Sequence, residues 1–175
     1  MTCPDDLDEA DDGELFTDDE SYDLTHPTRP PIVDVIPDLA HYPETTTMSA
    51  TTVTVTSFGY LHDTPPPAHI TLDLRAHFRD PHVTPDLRHQ TAHDEPVRHA
   101  VLGTPGIRQA IAATVSAALA YLAGPSAGPL SLAVGCAGGR HRAATVAAVI
   151  TEVLAALGIT VDLVHRDLHL PVIDR

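Results

Sequence analysis

Eight consecutive residues concentrate the chemistry of this chain: Gly135-Cys136-Ala137-Gly138-Gly139-Arg140-His141-Arg142. Glycines permit positive φ and let a backbone come close to a ligand, so several N–H groups can converge on one point. An apolar run precedes the stretch at Pro129–Val134, and a periodic apolar run follows it. A loop set between a strand and a helix places its amides at the helix N-terminus, where the aligned peptide dipoles favour an anion. Arg142 and Arg140 can add charge-assisted, bidentate bonds to such an anion. His141 can donate to it or exchange a proton with it. The chemistry expected of residues 137–142 is therefore oxyanion binding.

The spacing excludes two common phosphate loops. The Gly-Lys-Ser/Thr ending of a Walker A loop is missing, and Gly-x-Gly-x-x-Gly does not fit. The segment does contain Cys-x-x-Gly-x-x-Arg, as Cys136, Gly139 and Arg142. This resembles the phosphate loop of cysteine-dependent phosphatases, in which a thiolate attacks phosphorus while amides and an Arg hold the oxygens. Gly135 stands where those enzymes usually carry His, and Ala143 where they carry Ser or Thr. A general acid would have to be Asp73, Asp80 or Asp167. Two readings follow. In the first the chain is a binding module, with no catalytic residue and no cofactor; in the alternative, Cys136 and Arg142 are catalytic.

The elements that position this loop are legible in the patterning. Val53–Phe58 alternates and is β-branched, which predicts a strand bounded by Gly59 and Pro65-Pro66-Pro67. His69–Leu74 reads as a second strand. Residues 76–95 are rich in His, Arg, Pro and Asp, and read as a long loop with short helical turns. Ile107, Ile111, Val115, Ala118, Leu119 and Leu122 recur at helical spacing, with Tyr121 assigned to the same apolar helix. Pro129–Val134 is a central strand. A helix then starts at Arg140 or His141, carries Val146, Val149, Ile150, Val153, Leu154 and Leu157, and closes at Gly158. Ile159–Val164 is the last strand. Strand, glycine loop, helix, strand is a βαβ unit, so the fold class is α/β with a small, mainly parallel sheet. Ligands of such sheets bind at the carboxyl ends of the strands. Three polar clusters fall there: Asp73 with Arg75, the loop 135–142, and His165 with Arg166.

Charge divides the chain. Residues 1–44 carry fourteen Asp/Glu against one Arg, and residues 45–175 carry ten against nine, so nearly all of the net charge of −14 lies in the N-terminal part. That part, 1–50, is expected to be a disordered acidic tail, and 51–175 to be the folded domain. Pro30-Pro31-Ile32-Val33-Asp34-Val35-Ile36-Pro37 is the tail's apolar island, read as solvated linker. Lys is absent, so every fixed cation is Arg, the better partner for phosphate and carboxylate. Ten of the twelve His lie in the domain, which should turn basic on mild acidification. His62, His69, His77, His89, His93 and His99 show no metal-ligand spacing, and no metal is expected. Two cysteines make no disulfide framework, the first twenty residues have no apolar signal core, and no run spans a membrane. A cytoplasmic setting is expected.

A wider resemblance runs from Val53 to Leu168. Its motifs, in order, are Val55-Thr-Ser-Phe-Gly-Tyr60, Asp73-x-Arg75, Asp80-Pro81-His82 and Pro85-x-Leu87-Arg88. Then come Thr91-x-x-Asp94-x-Pro96-Val97, Val134-Gly-Cys-x-Gly-Gly-x-His-Arg142, and His165-Arg166-Asp167-Leu168. This pattern is similar to the C-terminal domain of the RapZ (RNase adapter) family. The resemblance implies an α/β domain that senses a phosphorylated amino sugar, glucosamine-6-phosphate, and takes part in binding a small RNA. It implies that Asp73, His82, Arg88, Cys136, Gly138, Gly139, His141 and Arg142 line the pocket. Ala137 and Arg140 join them from the loop, with Arg75, His165 and Arg166 behind. The family's nucleotide-binding P-loop domain is expected to be absent, a stretch of about fifty residues rich in Asp and Glu standing in its place, and the Lys/Arg-rich tail is expected to be missing. The expected partner is thus a small phosphorylated metabolite. RNA is a weaker second, self-association is left open, and no membrane is expected.

Overall fold

The computed structural model describes residues 52–78, 87–126 and 128–172. The expectations for residues 1–50, and for Asp80 and His82, lie outside them. Seven elements follow in order: β1 (Val53–Gly59), β2 (Ile70–Asp73), α1 (Glu95–Leu102), α2 (Ile107–Leu122), β3 (Leu130–Cys136), α3 (Arg142–Ala156) and β4 (Val161–His165). The strands pair in the order β2-β3-β1-β4, and every pairing is parallel.

Alternation along the strands decides which face is covered. Val53 and Val55 of β1, and Leu130, Leu132, Val134 and Cys136 of β3, point into one core with Ile107, Ile111 and Val115 of α2. Val146, Ile150 and Val153 of α3 complete that layer. Because α2 and α3 also pack on each other, the helices share one side of the sheet. Two successive right-handed crossovers that progress in the same direction require this arrangement. Burying a side chain of this size stabilises by about 1.5–3 kcal/mol, so this layer is the main source of order.

The other face carries Thr54 and Thr56, which are partly exposed, and it is crossed by the connection from β1 to β2. Near its end the Phe58 and Tyr60 rings pack together, their centroids 4.7 Å apart and their planes tilted by 59°. They lie over Gly135, where an added Cβ would meet Phe58 Cζ and Tyr60 Cε2 at 2.5 Å. Gly135 is therefore a space requirement of the sheet, not only a loop residue.

Helix α1 is absent from the sequence expectation, which leaves Glu95 in a loop. It is two turns long, has Pro96 in its first turn and buries only Val97 and Val101, too few positions to show a period. The helix expected from Arg140 or His141 begins at Arg142, and the last strand is displaced to Val161–His165. Tyr121, assigned to the helix's apolar set, is 53% exposed. It lies one position from Leu122, a rotation of about 100°, and its ring instead meets His69 edge-on at 6.4 Å.

Candidate functional site at the carboxyl ends of the sheet

The chain leaves β1 toward β2 at one edge of the sheet, and leaves β3 through α3 toward β4 at the other. The two neighbouring strands β1 and β3 therefore form the topological switch point, the place where a parallel sheet opens a crevice for ligands. Their carboxyl ends are Gly59 and Cys136. Tyr60 N donates to Cys136 O and Leu61 N to Ala137 O, both at 3.0 Å, so the two departing loops run together. An added Cβ on Gly59 would come within 2.7 Å of the Gly138 carbonyl carbon and 2.9 Å of Gly139 N. Backbone lies directly on backbone here, and only glycine fits.

The loop folds around Cys136. Gly139 adopts φ +73°, a conformation open to glycine, and its N–H donates to the buried Cys136 Sγ at 3.2 Å. Residue 141 is the N-cap of α3 and makes no side-chain cap bond, so the first-turn amides have no side-chain acceptor.

The three basic side chains of the loop reach outward to backbone carbonyls. Arg140 donates from Nη1 to Leu170 O at 2.6 Å and from Nη2 to His89 O at 3.1 Å, while its own carbonyl accepts from Ala92 N. His141 meets Gln90 O through Nε2 at 2.8 Å, which fixes the proton on that nitrogen because a carbonyl only accepts. Arg142 donates from Nη1 to Leu74 O at 3.1 Å and Phe78 O at 2.5 Å. These side chains draw residues 74–78, 89–92 and 170 around the loop. The sequence reading aimed them at a ligand and did not foresee this clamping.

Asp73 is the register partner of Gly135, which places it beside the loop. It is engaged, however. Arg75 donates to it from Nε at 3.0 Å and Nη2 at 2.6 Å, and the guanidinium lies 3.4 Å over the Tyr60 ring. The Arg75 hydrogen bonds hold the Asp73 carboxyl below its ordinary range despite some burial. Arg88 is exposed in the turn next to His89. His165 ends β4, and Arg166 turns to the opposite side, donating to Gly59 O and Thr64 O.

Asp167 has a structural task. It is 4% exposed, accepts the Gly59 N–H at 2.7 Å, and receives Arg166 Nε and Nη2 at 2.9 and 2.7 Å. Burial alone would raise its pKa, but the bonds from Arg166 and Gly59 outweigh it and the carboxyl lies below its usual range. Asp73 and Asp167 are thus both ionised near neutral pH, the wrong state for a general acid. Periodicity gave no sign of Gln90 or Ser57, since their roles come from contacts distant in sequence. Among the described residues no group of three or more His, Cys, Asp or Glu is arranged to hold a metal.

The fold and site define a parallel α/β domain with a glycine loop at its switch point, leading into a helix. The sequence matches the family model described as the RapZ C-terminal domain over residues 51–169, and the chain belongs to that family. Relatives named nucleotide-binding protein include one from Thermobifida fusca, 36% identical over 65% of this chain and 40% of the relative. Another, from Clavibacter michiganensis, is 38% identical over 66% of this chain and 41% of the relative. A third, from Frankia alni, is 40% identical over 66% of this chain and 40% of its own length. The chain thus spans about 40% of the length of these curated relatives. Among the described residues no helix is long and apolar enough to cross a membrane.

Proposed function

We propose that the domain binds a small phosphorylated metabolite, of which an amino-sugar phosphate such as glucosamine-6-phosphate is the first choice, and acts as a sensor. The observation that carries this reading is the loop at the switch point. There Gly138 and Gly139 lead into the uncapped N-terminus of α3, with Arg142 as its first residue. The phosphate sits on the amides of residues 137–142. Arg142 uses Nη1 for two carbonyls, and its guanidinium has three further N–H donors, on Nε and Nη2, for an oxyanion. Asp73 and Arg88, with His82, read the hydroxyls or amine of the ligand. Arg75, His165 and Arg166 stand behind them.

Catalysis by Cys136 is the less favoured reading, because the two described candidate acids, Asp73 and Asp167, are held ionised by arginine partners. An adapter role toward RNA follows from the family alone and is secondary. The names of the relatives put nucleotides among the ligands to be tried, although those proteins are far longer than this chain.

Calorimetry with inorganic phosphate, sugar phosphates and nucleotides tests the reading, with Arg142→Ala run in parallel. Loss of a charge-assisted contact should cost about 2–3 kcal/mol, roughly thirty- to a hundredfold in affinity. Circular dichroism of the variant separates this from loosening of residues 74–78. Absence of binding by the wild type to every phosphate, or equal binding by a folded Arg142→Ala, overturns the assignment. Phosphate-ester turnover that Cys136→Ser abolishes would promote the enzyme reading.

A further inference from the structure

Two histidine rings, His93 and His165, meet beside the glycine loop, and a third histidine, His169, stands near them. His165 ends β4 opposite Ser57 of β1, and its Nδ1 lies 2.7 Å from the Ser57 hydroxyl, which is fully buried. The His93 ring stands edge-on to the His165 ring with 6.0 Å between centroids. His169 follows within the same C-terminal segment, close enough for its charge to act on His165. Burial first, then the neighbouring His93 and His169, make protonation of His165 harder than usual.

The surrounding carboxylates are turned elsewhere. Asp94, next to His93, accepts from Thr91 N at 2.7 Å. On the covering helices Glu152 of α3 faces Arg98 of α1 at 3.5 Å. Asp167 is occupied by Arg166 and Gly59, and Asp162 is exposed at the other end of β4. The basic neighbours are Arg140 and His141 of the loop, bonded to His89, Gln90 and Leu170 carbonyls. Among the described residues no hydrogen bond or ion pair joins His93, His165 or His169 to a carboxylate. Among the described residues the cluster therefore makes no ion pair of its own. Its connection to the loop runs through the backbone of neighbouring residues. His93 follows Ala92, whose N–H bonds to Arg140 O, and His169 precedes Leu170, whose carbonyl receives Arg140 Nη1.

We infer that anion binding at the loop is coupled to proton uptake by His93, His165 and His169, so that the site holds its ligand more tightly as pH falls. This rests on the anion-binding reading above and names how that site is regulated. A tetrahedral dianion supplies a strong counter-charge, favours the imidazolium forms and gains affinity from each proton taken up. The resident cation of the site is then a titratable one, added to arginines whose charge is fixed.

Sulfate is the suitable probe, because its own charge is constant between pH 6 and 8 while that of phosphate is not. Calorimetry of the full chain with sulfate, in buffers of different ionisation heat, counts the protons bound with the anion. We expect an uptake averaging about half a proton over this range, and hence an affinity on the order of tenfold higher at pH 6 than at pH 8. His93→Gln and His169→Gln, both at exposed positions, should each reduce the uptake, and H93Q/H165Q/H169Q should nearly abolish it. Sulfate binding without proton uptake, or undiminished uptake in the two single variants, overturns this inference and leaves the loop reading standing. No sulfate binding at any pH overturns both.

Discussion

At the scale of single residues, the crowding at the switch point makes sharp demands. Gly59→Ala puts a Cβ 2.7 Å from backbone that cannot swing away, so we expect a loss of at least 1–3 kcal/mol in a denaturant titration. Asp167 should also show as a pH effect. Its folded pKa lies below its ordinary 3.8, so its stabilisation is present above that value and fades as pH falls through the folded one. Wild type should therefore lose stability on acidification below about pH 4.5, and Asp167→Asn should lose less over that range while starting from a lower value. Parallel slopes in a pH series of thermal melts would remove Asp167 from this role. The loop itself was legible in sequence because glycine, cysteine and arginine declare chemistry in eight adjacent letters. The orientation of its side chains was not, since the carbonyls at Leu74, Phe78, Gln90 and Leu170 that receive them lie far away along the chain.

At the scale of elements, legibility followed length. The periodic set Ile107–Leu122 matches α2 residue for residue, and the strand, loop, helix order predicted the parallel crossover that β3, α3 and β4 make. Two-turn α1 offers Val97 and Val101 alone to the core, and four-residue β2 alternates partly buried with exposed positions, so neither edge was sharp in sequence. Packing then ranks the substitutions. Ile111 and Ile150 are fully buried where α2 and α3 join the core, and truncation of either to Ala should cost about 2–5 kcal/mol. Tyr121→Ala, at a half-exposed site, should cost much less. A denaturant series in which the Tyr121 variant is the weakest of the three would show that the helix faces are assigned wrongly.

At the scale of the whole molecule, the division of charge governs what partners the chain can hold. Fourteen carboxylates and one Arg fall within residues 1–44, whereas the remainder is near neutral with arginine as its only fixed cation. Several of those arginines are already committed: Arg75 to Asp73, Arg166 to Asp167, and Arg98 to Glu152. A guanidinium whose charge is neutralised by a neighbouring carboxylate releases few counterions when it meets a phosphate backbone, and affinity for RNA scales with the number of phosphates neutralised. Small anions escape this limit, because one site with oriented amides suffices for them. The chain should therefore bind RNA more weakly than micromolar at physiological salt. The affinity should change by less than about tenfold between 50 and 200 mM salt, as expected for few phosphate contacts. Fluorescence anisotropy with a labelled stem-loop at the two salt concentrations measures both quantities. Tight binding with a steep salt dependence would mean that the arginines leave their carboxylates to form one basic face, and that the RNA role belongs to this chain.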